Sequence, residues 1–257
     1  MLTFVRNGSV QLCVERVGSG GRHVLFLHGW ISARRMWYDV VEHLDSSRFS
    51  CHLMDFRGCG LSDRPSDGHD LAGYASDARA VLESIGAPVV VAGHSMGAKV
   101  AQYVACDGPA NLEKLVLVAP GTAFAARTTQ RAREAALAPY GSREKIEAFQ
   151  RAAMRANVAA PALERIVEDA LLAQREHWVG WFDRGRFVDF HERLGQIAVP
   201  ALCVAGAEDP LIPPIRVRRE VAQSIAACLY VALRGAGHNL PIEASHAVAG
   251  AIERFSG

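Results

Sequence analysis

Five residues constrain this chain more than any others: Gly93-His94-Ser95-Met96-Gly97, set directly between the apolar run Val89 to Ala92 and a helix-like segment, Ala98 to Cys106. A short run of Val and Ala reads as a strand buried on both faces of a parallel sheet. Glycines on either side of a serine allow a turn too tight for larger residues. A turn of this kind projects the serine from the carboxyl edge of the sheet, at the N-terminus of the next helix. The order of strand, turn and helix says more than the five letters, because G-x-S-x-G alone recurs by chance.

The rest of the chain keeps the same rhythm. Asn7-Gly8 separates two alternating runs, Leu2 to Arg6 and Val10 to Glu15, and predicts an antiparallel hairpin. Val24 to Leu27, Leu115 to Val118 and Ala201 to Ala205 predict further buried strands, and Cys51 to Met54 and Leu229 to Leu233 add two more. Leu71 to Ile85 has amphipathic spacing at Leu71, Tyr74, Ala75, Ala78, Val81, Leu82 and Ile85, and Gly86-Ala87-Pro88 stops it. Alternating strand and helix predicts a parallel α/β sheet behind the hairpin. The rhythm breaks after Pro120. Arg131 to Ala138, Arg143 to Ala156, Pro161 to Gln174 and the stretch around Trp178 all read as helices, which predicts a helical cap over residues 121–195 inserted into a core of 1–120 and 196–257.

Composition narrows the function classes. The net charge is +1 with both signs interspersed, so no field draws nucleic acid or an anionic membrane. The start, MLTFVRNGSVQL, lacks the basic-then-apolar pattern of a secretion signal, and no apolar run is long enough to span a bilayer. The cysteines Cys13, Cys51, Cys59, Cys106, Cys203 and Cys228 are scattered singly, with no C-x-x-C pair. That spacing predicts buried free thiols and a reduced, cytoplasmic setting.

A serine hydroxyl is a weak nucleophile until a base takes its proton. Of ten histidines, His238 stands just beyond the last predicted strand, which puts it near the same sheet edge as Ser95. The other histidines read as surface or structural residues, and His94 reads as packing against the turn or shaping a pocket. An orienting acid is needed in the chain order Ser, Asp, His. The loop after Leu115 to Val118 has no carboxylate, whereas Ala201 to Ala205 is followed by Gly206-Ala207-Glu208-Asp209-Pro210. Asp209 is preferred by elimination, with Glu208 as local competitor and a plain Asp-Pro turn as the alternative. An oxyanion site needs two backbone donors. Met96, after the serine, is one, and Trp30, in the His28-Gly29-Trp30 loop, is the second, unless that loop only ends a strand. Trp178, Trp181 and Phe182, with Phe124, Met154 and Phe187, either line an apolar pocket or pack the cap onto the core.

Taken in order, HGW, DFRGCGLSD, GHSMG, GAEDP and GAGHNLP resemble the α/β-hydrolase superfamily, in its subgroup of small capped serine esterases, and the resemblance covers essentially the whole chain. It implies an eight-stranded, mostly parallel sheet with helices on both faces and a cap inserted after the sixth strand. It also implies two-step acyl transfer at Ser95 without metal or cofactor, with a small apolar acyl or aryl ester as substrate. Asp55 to Ser62 is similar to a structural turn of the family, and Ala98 stands where many relatives have a second glycine. Relatives with an aspartate nucleophile are disfavoured by Ser95. Lactone, thioester and C–C bond hydrolases stay open on the same fold, as do cofactor-free oxygenases or lyases and ligand receptors. Oligomeric state is not legible.

Overall fold

Eight strands form one sheet: β1 (Leu2–Asn7), β2 (Val10–Val17), β3 (Arg22–Leu27), β4 (Phe49–Met54), β5 (Val89–His94), β6 (Leu112–Val118), β7 (Ala201–Gly206) and β8 (Cys228–Leu233). The computed structural model describes every residue from Met1 to Gly257. The spatial order is β1-β2-β4-β3-β5-β6-β7-β8. β1 and β2 form the antiparallel hairpin about Gly8, β2 pairs antiparallel with β4, and every later pairing is parallel. The carboxyl ends of β3 to β8 therefore share one edge, which is where ligands bind in open α/β sheets.

Ten helices accompany the sheet: α1 (Tyr38–Val41), α2 (Leu71–Ile85), α3 (Met96–Ala105), α4 (Gln130–Leu137), α5 (Arg143–Ala153), α6 (Ala160–Leu172), α7 (Arg175–Asp183), α8 (Pro214–Glu220), α9 (Leu240–Glu243) and α10 (Ser245–Ser256). The ends of α2 follow from local chemistry. The Asp70 side chain accepts from the Gly73 N–H at 3.0 Å, and Gly86 closes the helix at φ 66°. Its predicted face is buried except for Ile85, which is half-buried at the last turn.

Alternation along the central strands divides the core between the two faces of the sheet. Val89 and Val91 of β5 join a cluster with α2 and α3, whereas Val90 and Ala92 join one with α10. A third cluster lies within the segment between β6 and β7. There Ile146, Leu163, Ile166 and Trp178 pack together, and they meet the body of the protein at Ile31, Met36, Cys59 and Ile242. The turn after β4 is tied down by charge. Asp55, fully buried, accepts from the Arg34 amide at 2.7 Å, the Arg34 guanidinium at 2.7 Å and the Leu61 amide at 2.9 Å.

The serine turn is tighter than the sequence pattern predicts. β5 runs two residues past Ala92, and α3 begins at Met96 rather than Ala98. The turn is compressed because α3 lies directly against β3. A Cβ at Gly97 would sit 2.4 Å from the Leu27 carbonyl oxygen and 2.6 Å from that of His28. Gly97→Ala must push α3 off β3, and overpacking of this kind costs about 1–3 kcal/mol. Urea unfolding of the variant should show that loss as a lower midpoint with an unchanged slope.

Candidate active site

Ser95 sits at the corner between β5 and α3 with φ 49° and ψ −109°, a conformation side chains rarely adopt. Its amide donates to the Val118 carbonyl at 3.0 Å, and its own carbonyl accepts from Gly121 at 3.0 Å and Lys99 at 3.1 Å. Both ends of the residue are thus fixed by the start of α3 and the end of β6. The Oγ is left facing the crevice at the carboxyl edge.

His238 lies in the loop between β8 and α9, and the structure brings it to Ser95. Its Nε2 is 2.8 Å from Ser95 Oγ and its Nδ1 is 2.7 Å from Asp209 Oδ2. Asp209, in the loop after β7, uses its other oxygen to accept from the Leu211 and Ile212 amides at 2.8 and 2.9 Å. Burial alone pushes that carboxyl up, but the hydrogen bond and charge of His238, with the Ile212 and Leu211 amides, outweigh it and hold Asp209 below its ordinary range. The competitor Glu208 is exposed and takes no part.

The amides named for an oxyanion site also stand at this edge. Neither the Trp30 nor the Met96 N–H is used in the turn, loop and cap hydrogen bonds of the chain. His28 braces the Trp30 loop. Its Nδ1–H donates to the Gly29 carbonyl at 2.8 Å, and its Nε2 accepts from the Phe56 amide at 3.0 Å. Burial holds this ring neutral. His94 is also buried, and burial, followed by the charge of His238, pushes it down to about 3. Its Nε2–H donates to the His238 carbonyl at 2.8 Å, so it holds the neighbouring loop and leaves Ser95 to His238.

A cavity of about 520 Å³ opens on Ser95 and His238. His94, Phe124, Trp181 and Phe182 line it, together with Trp30, Ile31, Met36 and Phe149. Trp178 does not line it. That ring is buried behind Trp30, with ring centroids 5.4 Å apart, and is held on its other side by Tyr140 at 5.4 Å. Met154 belongs to the apolar cluster of the 121–195 segment, and Phe187 is exposed.

Of the two roles open to the remaining histidines, surface or structural, His69 and His177 take the structural one, and both are fully buried. The Tyr74 hydroxyl lies 2.7 Å from His177 Nδ1, and His69 Nε2–H donates to the Pro65 carbonyl at 2.8 Å, while His177 Nε2 has no partner. Glu243 was not singled out. Its carboxylate accepts from Gly237 at 2.8 Å and Asn239 at 2.7 Å, the amides on either side of His238. It also accepts from Arg155 at 2.7 Å and Ala156 at 3.1 Å, just past α5. The available signal was an acid in the first turn after Asn239, close to a capping pattern. All six cysteines are free, five of them buried and Cys228 half-buried. No three His, Cys, Asp or Glu side chains are grouped to hold a metal ion, and no helix is long and apolar enough to cross a membrane.

Sheet order, serine turn and edge loops define an α/β hydrolase, and the chain belongs to the alpha/beta hydrolase fold family, whose model matches residues 22–245. It is similar to the AB hydrolase superfamily protein YisY of Bacillus subtilis, 30% identical over 268 aligned positions that cover 96% of each chain. It is also similar to a pimeloyl-[acyl-carrier protein] methyl ester esterase of Klebsiella pneumoniae, 29% identical over 210 positions, 77% of this chain and 80% of that one. Among solved structures, an esterase from Exiguobacterium antarcticum superposes with a TM-score of 0.91 at 20% identity, covering 100% of this chain and 99% of the other.

The Asp209 carboxyl gives a test in acid. Its folded value lies below the ordinary 3.8, so its contribution to stability is present above 3.8 and is lost as pH falls from there through the lower folded value. The stability advantage of wild type over Asp209→Asn in urea unfolding should therefore hold at about pH 6 and shrink progressively below about pH 4.

Proposed function

We propose that the chain is a serine hydrolase that cleaves small carboxylic esters through an acyl-enzyme, with Ser95 as nucleophile, His238 as base and Asp209 as the acid that orients the base. The observation that carries this reading is the continuous hydrogen-bonded line from Asp209 Oδ2 through His238 to Ser95 Oγ, with links of 2.7 and 2.8 Å. An aspartate acceptor at Nδ1 keeps the proton on that nitrogen and leaves Nε2 free to take the serine proton.

In the first step Oγ attacks the ester carbonyl carbon while its proton passes to His238 Nε2. The carbonyl π pair moves onto oxygen, and the Trp30 and Met96 N–H groups hold that oxyanion. A donor in this role is worth about 3 kcal/mol in the transition state. Collapse restores the carbonyl and breaks the bond to the alcohol oxygen, which takes the proton from Nε2. Water then attacks the acyl-enzyme, with His238 as base, and releases the acid and Ser95. Asp209, ionised across the working range, stabilises the imidazolium in both steps.

The 121–195 segment serves as the cap and supplies Phe149, Trp181 and Phe182 to the cavity wall, which suits an apolar acyl or aryl group. The name of the Klebsiella pneumoniae relative, a methyl ester esterase, supports an ester as the substrate class.

Intact-mass spectrometry after a fluorophosphonate probe tests the nucleophile. Wild type should gain one adduct and Ser95→Ala none, and a panel of p-nitrophenyl esters should be turned over with an optimum at one chain length. Absence of both adduct and turnover would overturn the reading, and an adduct that survives in Ser95→Ala would move the nucleophile elsewhere. Glu243→Ala should lower kcat by roughly 10–100-fold with a smaller effect on KM, because the loop that aims His238 loses its anchor.

A further inference from the structure

Three cationic side chains, Lys99, Arg186 and Arg216, reach the wall of the cavity that opens on Ser95, and no aspartate or glutamate does. Arg216 is largely answered by Glu220, whose carboxylate accepts from its Nε at 2.7 Å. The other two are not. Lys99, one turn along α3 from Ser95 and 2% exposed, donates to the Phe124 and Arg186 carbonyls, both at 3.1 Å, and pairs with no carboxylate. An ammonium has three donors, so one remains. Arg186 forms neither an ion pair nor a side-chain hydrogen bond. Its guanidinium lies 4.1 Å over the Phe182 ring, another cavity residue.

Cations held in a largely apolar recess without counter-charge are costly. Burial is the main cause that pulls Lys99 down to about 8, with Asp189 opposing and Arg186 and Arg216 adding to it. Burial, then Arg216, lowers Arg186 as well. An anion in the cavity would remove this penalty. The Arg186 guanidinium is planar by conjugation and seated over Phe182, and its fork suits the two coplanar oxygens of a carboxylate.

We propose that Arg186 and Lys99 form a carboxylate-binding subsite and that the ester substrate carries one free carboxylate, as in the half-ester of a dicarboxylic acid. The ester in this statement rests on the serine-hydrolase reading, whereas the carboxylate rests on the charges of the cavity itself.

Calorimetric titration of Ser95→Ala protein with monomethyl adipate and with dimethyl adipate separates the two, since neither ligand can be turned over there. The half-ester should bind at least about tenfold tighter, the scale of a charge-assisted hydrogen bond. Adding Arg186→Met, which keeps an apolar contact with Phe182, should abolish most of that preference. Equal or tighter binding of the diester, or no binding of the half-ester, overturns the subsite and does not depend on how the second variant folds. The fluorophosphonate adduct on wild type reports independently on the hydrolase. Adduct without half-ester preference leaves the hydrolase and removes the subsite; preference without adduct does the reverse.

Discussion

The backbone strain at Ser95 is the constraint on which the site depends. A residue with a side chain held at φ 49° costs of order 1–3 kcal/mol, and it persists only where its surroundings over-determine it. Here they do. β6 takes the Ser95 amide, the Gly121 amide takes its carbonyl, and α3 presses against β3 through Gly97 with no room for a methyl group. The other two non-glycine residues at positive φ, Ile31 and Ala119, follow Trp30 and Val118 directly. All the side-chain-bearing strain in the molecule is thus gathered along one edge of the sheet, where it projects the serine and frees the two amides beside it.

Much of the fold was legible because buried parallel strands leave little choice of residue. Val24 to Leu27, Val89 to Ala92, Leu115 to Val118 and Ala201 to Ala205 are apolar at every position because both faces are covered, and each is a strand in the structure. Boundaries were less legible. The start of α3 moved to Met96 because the turn at Ser95 is sharper than propensity alone suggests. α5 stops at Ala153 because its carbonyl accepts from the His238 amide at 2.9 Å, a tertiary contact that leaves no trace in local spacing.

In the candidate site, the residues that stand in short loops directly after strands were legible, since the parallel sheet delivers all such loops to the same edge. Ser95, Asp209, His238 and Trp30 are of this kind, and Met96, the first residue of α3, follows Ser95 directly. Cavity residues drawn from the 121–195 segment were only partly so. Trp181 and Phe182 are adjacent to one another and line the cavity, whereas Trp178, one helical turn earlier on the same side of α7, is covered by Trp30 and Tyr140 and joins the apolar cluster of that segment. Helical periodicity tells which side chains share a face, but not where along that face empty space begins. Lys99 and Arg186 were invisible for another reason: their significance lies in the carboxylates they lack, and an unpaired charge cannot be recognised until every neighbour is known.

Glu243 joins two parts of the chain that the sequence keeps far apart. One carboxylate holds the amides flanking His238 and those of Arg155 and Ala156 beyond α5. The His238 amide itself bonds to Ala153, and Asn239 Nδ2 bonds to Gln150 on the same helix at 3.0 Å. α5, which gives Phe149, Gln150 and Ala153 to the cavity wall, and the mount of the imidazole are therefore one mechanical part. A shift of that helix cannot leave the His238 loop where it is, so the shape of the cavity and the aim of the ring vary together.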